Sequence, residues 1–356
     1  MKLPSRYKPT GTKFSSGGMS DAVVCMDEHL ERPVLVKWLQ NGVDQARLLD
    51  EIAALTAIRS KHVVEIFDVI RDSNGDIVGL VEDYLPGDDL NQKLPIKDVD
   101  DFIKTAYAIA CGISDIHEKG RVHRDIKPGN MKYDGEECLK IFDFGLARAD
   151  DVDAKTVGTI GTPGYLAPEL CVSDDEEVTF SQAVDVYAFG ATAVKMKLGK
   201  LPSDMTKTPP ALPCAQADFL GHTPGLPKPI ADILNACLDP IPTNRPSMSC
   251  VRDVLAAHLL RGKHRATLVL GSAVHKLDAA NPAAKLGAGS LGSIDIVYDG
   301  LHFVITAMSG QVTINNLPVK VNQALPGSCV IILGDPMLGW NRKYVTVDVS
   351  HPEVVL

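Results

Sequence analysis

His123-Arg124-Asp125, Lys127 and Asn130 fall within eight residues, and Asp143-Phe144-Gly145 begins thirteen residues after Asn130. One carboxylate at this spacing can take the proton of an acceptor hydroxyl. An amide and a second carboxylate can hold a divalent cation against phosphates. That chemistry is phosphoryl transfer from Mg·ATP. It requires three further parts: a cradle for the phosphates, a cation beneath them, and a platform for the acceptor.

The elements that must position these groups can be sought upstream. Residues 14–25 read as strand, small-residue turn and strand, so Ser16, Gly17, Gly18, Met19, Ser20 and Ala22 bring backbone N–H groups over phosphates. Residues 34–37 alternate as a strand. Lys37 comes fifteen residues after Ala22, which suits a hairpin return placing its ammonium under the same phosphates. A buried ammonium needs a partner. Residues 43–60 carry apolar side chains at 48, 49, 52, 55 and 58, the period of an amphipathic helix, and Glu51 is its candidate, with Asp44 and Asp50 as alternatives. Two strands are predicted over 63–69 and 76–84, joined by Ser73-Asn74-Gly75, and a helix over 99–119 that stops at Gly120.

H-R-D-x-x-x-x-N followed by D-F-G is the protein-kinase signature. On residues 122–145 the chain resembles the eukaryotic-type (Hanks-type) serine/threonine protein kinases. The resemblance runs over about residues 7–260 with motifs in order. It implies an α+β bilobal fold, a β-rich lobe over about 7–85 and a helical lobe over 86–260. It implies that Asp125 orients the acceptor hydroxyl and Lys127 neutralises the transferring group. Asn130 and Asp143 bind Mg²⁺, or Mn²⁺ in its place. ATP is the nucleotide, and Lys37 paired with Glu51 grips its phosphates. Residues 82–87 resemble the hinge, with Glu82 limiting pocket depth and Asp83 and Leu85 binding adenine. His123, Leu55 and Phe144 form a stacked column. Lys127 and the segment 161–169, GTPGYLAPE, point to a protein serine or threonine as acceptor, with Thr162 near Asp125 and Lys127. Arg124, with Thr156 and Thr159 upstream, resembles an activation-loop switch. Asp185 would hold the catalytic-loop backbone, and Arg245 would pair with Glu169. The phosphate loop departs from the family's G-x-G-x-x-G-x-V: serines replace its outer glycines.

The net charge is −9, and residues 265–356 hold six basic and six acidic residues, so the excess acid lies in the first 264. This speaks against nucleic acid or an anionic membrane as partner. The eight cysteines form no C-x-x-C pair, which leaves a zinc site unsupported and fits a reducing, cytoplasmic setting. The stretch MKLPSRYKPTG lacks the apolar core of a signal peptide, and with no run of about 18 apolar residues in the sequence no membrane span is expected.

Past residue 264 the chain turns rich in valine and isoleucine. Strands are expected over 266–270, 294–298, 301–307, 311–315, 329–333 and 344–349, with turns at Asp299-Gly300 and Asn315-Asn316. Residues 265–356 are thus a small β-sandwich attached to a kinase domain over 1–264. Residues 312–334 resemble the closing half of a forkhead-associated domain, although Gly271-Ser272 stands where that family carries Gly-Arg. A docking role for a protein partner is expected. Two alternatives to an active protein kinase stay open: a pseudokinase scaffold, and transfer to a small molecule, against which the 161–169 platform speaks.

Overall fold

Alternating valines build the first sheet. In the computed structural model, which describes residues 3–16, 20–38, 49, 52–53, 56–143, 148–149, 155–157, 162–171 and 177–350, strands β1 (Tyr7–Ser16), β2 (Ser20–Asp27), β3 (Arg32–Trp38), β4 (Ile66–Arg71) and β5 (Ile77–Asp83) form one antiparallel sheet. Their order is β1-β2-β3-β5-β4. One face buries Tyr7, Cys25, Val34, Val36, Ile70 and Val81 together. Side chains alternate between faces along a strand, so Leu35 and Lys37 of β3 point the other way. The hairpin return sets Ala22 opposite Lys37, and β5 sets Leu80 opposite Lys37 and Glu82 opposite Leu35.

Strand β4 begins three residues later than the alternation predicts. Val63 instead bridges to Ile141, and the Val64 N–H donates to the Ile141 carbonyl at 3.0 Å. Those two valines are spent on pairing with Ile141 rather than on the sheet. Of residues 43–60, Leu49, Ile52, Ala53, Thr56 and Ala57 are helical. Glu51, with Asp44 and Asp50, lies outside the described residues.

Helix α1 (Val99–Glu118) starts at Asp98, whose carboxylate accepts from the Asp101 N–H at 2.9 Å. Its buried stripe of Phe102, Ile103, Ala106, Ile109, Ala110, Ile113 and Ile116 has the predicted helical period. It delivers the chain through Gly120 (φ 64°) into β6 (Arg121–Val122). A short hairpin follows, β7 (Met131–Tyr133) against β8 (Leu139–Ile141). β9 (Arg148–Ala149) pairs with β6, and β10 (Lys155–Val157) with β11 (Glu177–Thr179). Helix α2 (Gln182–Leu198) is buried from Val184 to Val194 and stops at Gly199 in the left-handed region. A proline-rich stretch after α2 holds a 3-10 turn (Ala215–Ala217) and the four-residue α3 (Phe219–His222) before α4 (Lys228–Cys237), and α5 (Met248–Leu259) follows. Among the described residues no helix is long and apolar enough to cross a membrane.

The chain divides into two compact units, Met1–Val254 and Leu255–Leu356. Beyond α5 the described residues of the second are built mainly from strands. A six-stranded sheet runs in the order β13 (Ala273–Leu277), β12 (Ala266–Leu270), β20 (Lys343–Val349), β19 (Cys329–Leu333), β17 (Val312–Ile314), β18 (Leu317–Pro318). A three-stranded sheet joins β14 (Ala283–Gly287), β15 (Gly292–Tyr298) and β16 (Phe303–Gly310). Leu268, Ile331, Leu333 and Val345 from the first and Leu286, Ile294, Ile296 and Ile305 from the second share one core. Asn315 and Asn316, with φ of 50° and 65°, make the two-residue turn from β17 to β18.

Candidate active site

The β7–β8 hairpin explains the spacing that opened the sequence. Met131 pairs with Ile141, so the residues just before β7 and just after β8 meet at one end of the hairpin. There the Phe142 N–H donates to the Asn130 carbonyl at 2.9 Å. Asn130 and Asp143 are thereby brought together from thirteen residues apart. Asp143 is exposed and takes a φ of 68°, and Arg124 a φ of 71°. Both are uncommon for residues other than glycine and both sit in this one region.

Asp125 is the most heavily engaged side chain here. Lys127 Nζ donates to its Oδ2 at 2.6 Å, Asn130 Nδ2 to the same oxygen at 2.8 Å, and Thr162 Oγ1 to its Oδ1 at 2.8 Å. Lys127 Nζ also donates to Thr162 Oγ1 at 2.8 Å. Burial alone would push the Asp125 carboxyl up, but the hydrogen bonds from Lys127, Thr162 and Asn130 outweigh it and hold the group below its ordinary value. Asn130 is buried, and its Nδ2 also donates to the Asp125 carbonyl at 2.8 Å. With the amide nitrogen given to Asp125, its oxygen is the atom turned to accept. That oxygen and the Asp143 carboxylate are hard donors of the kind Mg²⁺ or Mn²⁺ takes.

The loop carrying these groups is pinned from beneath by Asp185 of α2, which has no exposed surface. Its carboxylate accepts from the His123 N–H and the Arg124 N–H, both at 2.8 Å, and lies 2.9 Å from His117 Nε2. Burial opposes this charge, and the hydrogen bond from His117 overcomes it, so the Asp185 carboxyl is held low. His123 is fully buried, and its ring is kept below the ordinary histidine range by that burial, against the pull of Asp185. The Asp125 N–H donates to its Nδ1 at 3.3 Å, and its Nε2 lies 3.3 Å from the Phe142 carbonyl, an arrangement that suits the neutral ring. Leu55 and Phe144 of the expected column lie outside the described residues. Arg245 Nη1 and Nη2 grip Glu169 at 2.7 and 2.8 Å, closing the end of the 162–171 segment against the helical lobe.

Across the cleft, Lys37 Nζ lies 2.6 Å from Glu82 Oε1 and 5.9 Å from the centre of the Phe142 ring. Glu51, the partner expected from the sequence, lies outside the described residues; among the described residues Glu82 of β5 is a partner that the sequence does not point to. No single strand pattern announces this pair, because it depends on β3 and β5 being neighbours. Ser16 and Ser20 close the β1–β2 ladder opposite one another, while Gly17, Gly18 and Met19 lie outside the described residues. Where the hinge is expected, the Asp83 N–H is taken by the Glu65 carbonyl at 2.9 Å, and the Asp83 carboxylate pairs with Lys140 at 3.1 Å. Leu85 is buried, and the Gly87 N–H donates to the Tyr133 carbonyl at 3.0 Å. Lys140 was not among the sequence candidates. Thr156 sits in β10 opposite Val178, and Thr159 lies outside the described residues. The Arg124 guanidinium stacks 4.3 Å over the Phe180 ring.

Comparison with known proteins follows this geometry. Residues 10–258 match the family model for the protein kinase domain. The chain is 33% identical over 163 residues to serine/threonine-protein kinase ssp1 of Schizosaccharomyces pombe, covering 43% of this chain and 25% of that one. It is 29% identical over 302 residues to serine/threonine-protein kinase PkaB of Streptomyces coelicolor, covering 80% of this chain and 68% of that one. It is 29% identical over 216 residues to the probable serine/threonine-protein kinase PknB of Bifidobacterium longum, covering 55% and 31%. It spans a quarter of the first of these and under a third of the last. With the model matched over more than half its length and the hairpin bringing Asn130 to Asp143 beside a thrice-bonded Asp125, the chain belongs to the protein kinase family.

Proposed function

We propose that the chain transfers the γ-phosphoryl group of ATP to serine or threonine hydroxyls of proteins. The observation that carries this is the three-way hold on Asp125 by Lys127, Asn130 and Thr162. A carboxylate kept below its ordinary range is a weak base, so Asp125 serves by aiming the acceptor hydroxyl and receives its proton late. That suits a loose transfer in which positioning and charge neutralisation dominate. Lys127, bonded to both Asp125 and Thr162, sets a positive charge beside the acceptor. Asn130 and Asp143 would hold Mg²⁺, which when bound neutralises and bridges the phosphates. Lys37 reaches for the phosphates from β3, and the hinge around Asp83 and Leu85 holds adenine.

Thr162 ties the peptide platform to the catalytic carboxylate, which favours a protein acceptor over a small molecule. Autophosphorylation of Thr156 or Thr159, read out through Arg124, belongs to this proposal. The second unit is read as a docking module with a forkhead-associated-like plan, supported by its two sheets around one core and its Asn315-Asn316 turn. Eight free cysteines support a reducing, cytoplasmic setting. The test is transfer of labelled phosphate from ATP to a generic basic protein by the natural chain, Asp125→Asn and Asp143→Asn. Loss in both variants supports the proposal. Labelling that survives both variants refutes the site, and none by the natural chain makes it a nucleotide-binding scaffold.

A further inference from the structure

Lys37 and Glu82 sit on one face of one sheet. The register sets Lys37 opposite Leu80 and Leu35 opposite Glu82, so Lys37 and Glu82 are diagonal neighbours across β3 and β5. Diagonal pairs on a pleated sheet lie within reach when the side chains are long. The contact is 2.6 Å, with the Glu82 side chain 8% exposed and that of Lys37 22%. Packing does not call for a carboxylate here. Its neighbours on β5, Leu80 and Val81, are apolar, and Val81 fills the opposite face with Val34 and Val36. A charge so far out of water is costly unless it is paired, and truncating one partner of such a pair exposes the other to that cost. The ammonium that Glu82 holds lies near Phe142, the residue that precedes Asp143.

We propose that Glu82 is a positioning residue that aims the Lys37 ammonium at the nucleotide phosphates, with the restraint supplied by the sheet itself. Both strands belong to one ladder, so this restraint does not depend on where the helix within residues 43–60 stands. An ammonium carries three N–H donors, so a lysine held by a carboxylate can still donate to a phosphate oxygen. The inference rests on the reading of the cleft as an ATP site.

A double-mutant cycle on nucleotide binding tests it. The full chain, Lys37→Met, Glu82→Gln, Glu82→Asp and the two double variants are titrated with a fluorescent ATP analogue and Mg²⁺. Thermal melts confirm that each is folded; if Glu82→Gln melts below the assay temperature, the uncharged Glu82→Met replaces it. In the natural background Lys37→Met is expected to weaken binding about tenfold. In the Glu82→Gln background it should weaken binding less than about twofold, and Glu82→Asp, which keeps the charge, should restore most of the Lys37 effect. An equal Lys37→Met penalty in both backgrounds overturns the inference, as does an aspartate variant no better than glutamine. Binding is read without turnover. A natural chain that binds and couples but transfers no phosphate therefore upholds the role of Glu82 and sinks the kinase reading, while one that binds no nucleotide sinks both.

Discussion

Thr162 donates a 2.8 Å hydrogen bond to Asp125 from thirty-seven residues further along the chain. Lys127 closes the triangle, bonded to both. The hold on this carboxylate thus comes from two distant segments, and its geometry reports whether the 162–171 segment is seated. Thr162→Val removes the donor and keeps the shape. Transfer to a protein substrate is expected to fall about tenfold to a hundredfold, an effect of the size usual for losing a hydrogen bond to a charged group, while Thr162→Ser retains most activity. Steady-state transfer rates of the folded variants check this.

Arg245 and Glu169 form the second such tie. The guanidinium is wholly buried, is held bidentately by Glu169, and donates further to the Ala183 and Asp239 carbonyls at 2.8 Å each. Glu169→Ala leaves that buried charge without its partner and is expected to cost about 3–5 kcal/mol. Arg245→Lys, which cannot reproduce the planar fork, should also be clearly destabilising. Denaturant unfolding of the amino-terminal unit measures both, and midpoints unchanged from the natural chain would refute the assignment.

Acid should weaken this lobe in two steps. His123 is held low by burial, so on unfolding it takes up a proton that the folded ring refuses. Its contribution is whole above the ordinary histidine value of about 6.5 and is lost as pH falls below it. Asp125 and Asp185 are held low by their hydrogen bonds. Their contribution is whole above about 4 and is lost as pH falls through their folded values. Unfolding free energy measured from pH 8 to pH 3 should therefore fall below about 6.5 and again below about 4. His123→Phe should remove the first slope and leave the second.

Asp185 receives two backbone N–H groups and faces His117 in a site with no solvent. Asp185→Ala strands those groups and is expected to cost about 3–5 kcal/mol. Asp185→Asn keeps the shape but offers one acceptor oxygen to two donors, so it should lower transfer even where the fold survives. Unfolding curves and transfer rates together separate the two effects.

The grouping of the candidate site was largely legible in the sequence. Asp125, Lys127 and Asn130, with Asp143 beside the Phe142 that bonds Asn130, come together because their spacing is that of a loop and a tight hairpin, both local structures. The strands over 266–270 and 329–333 were legible for the same reason: a run of β-branched and aliphatic residues bounded by turns announces itself. β13 and β14 were missed. Their Ala-Val-His-Lys-Leu and Ala-Ala-Lys-Leu-Gly carry little strand preference, and each is a strand because a neighbour offers it a ladder. Val63 and Val64 read as the start of β4, yet their backbone was taken by Ile141 from the other lobe.

The Lys37–Glu82 pair divides along the same line. That Lys37 would be drawn out of water, and would need a carboxylate, followed from an alternating strand with a lysine at its inward position. That Glu82 also stands against it followed from the sheet order, which sets β3 beside β5 and so brings together two residues forty-five positions apart. Spacing along the chain determines what is local. Pairing between strands is decided by the total of buried surface and ladder hydrogen bonds, and only the folded sheet states the outcome.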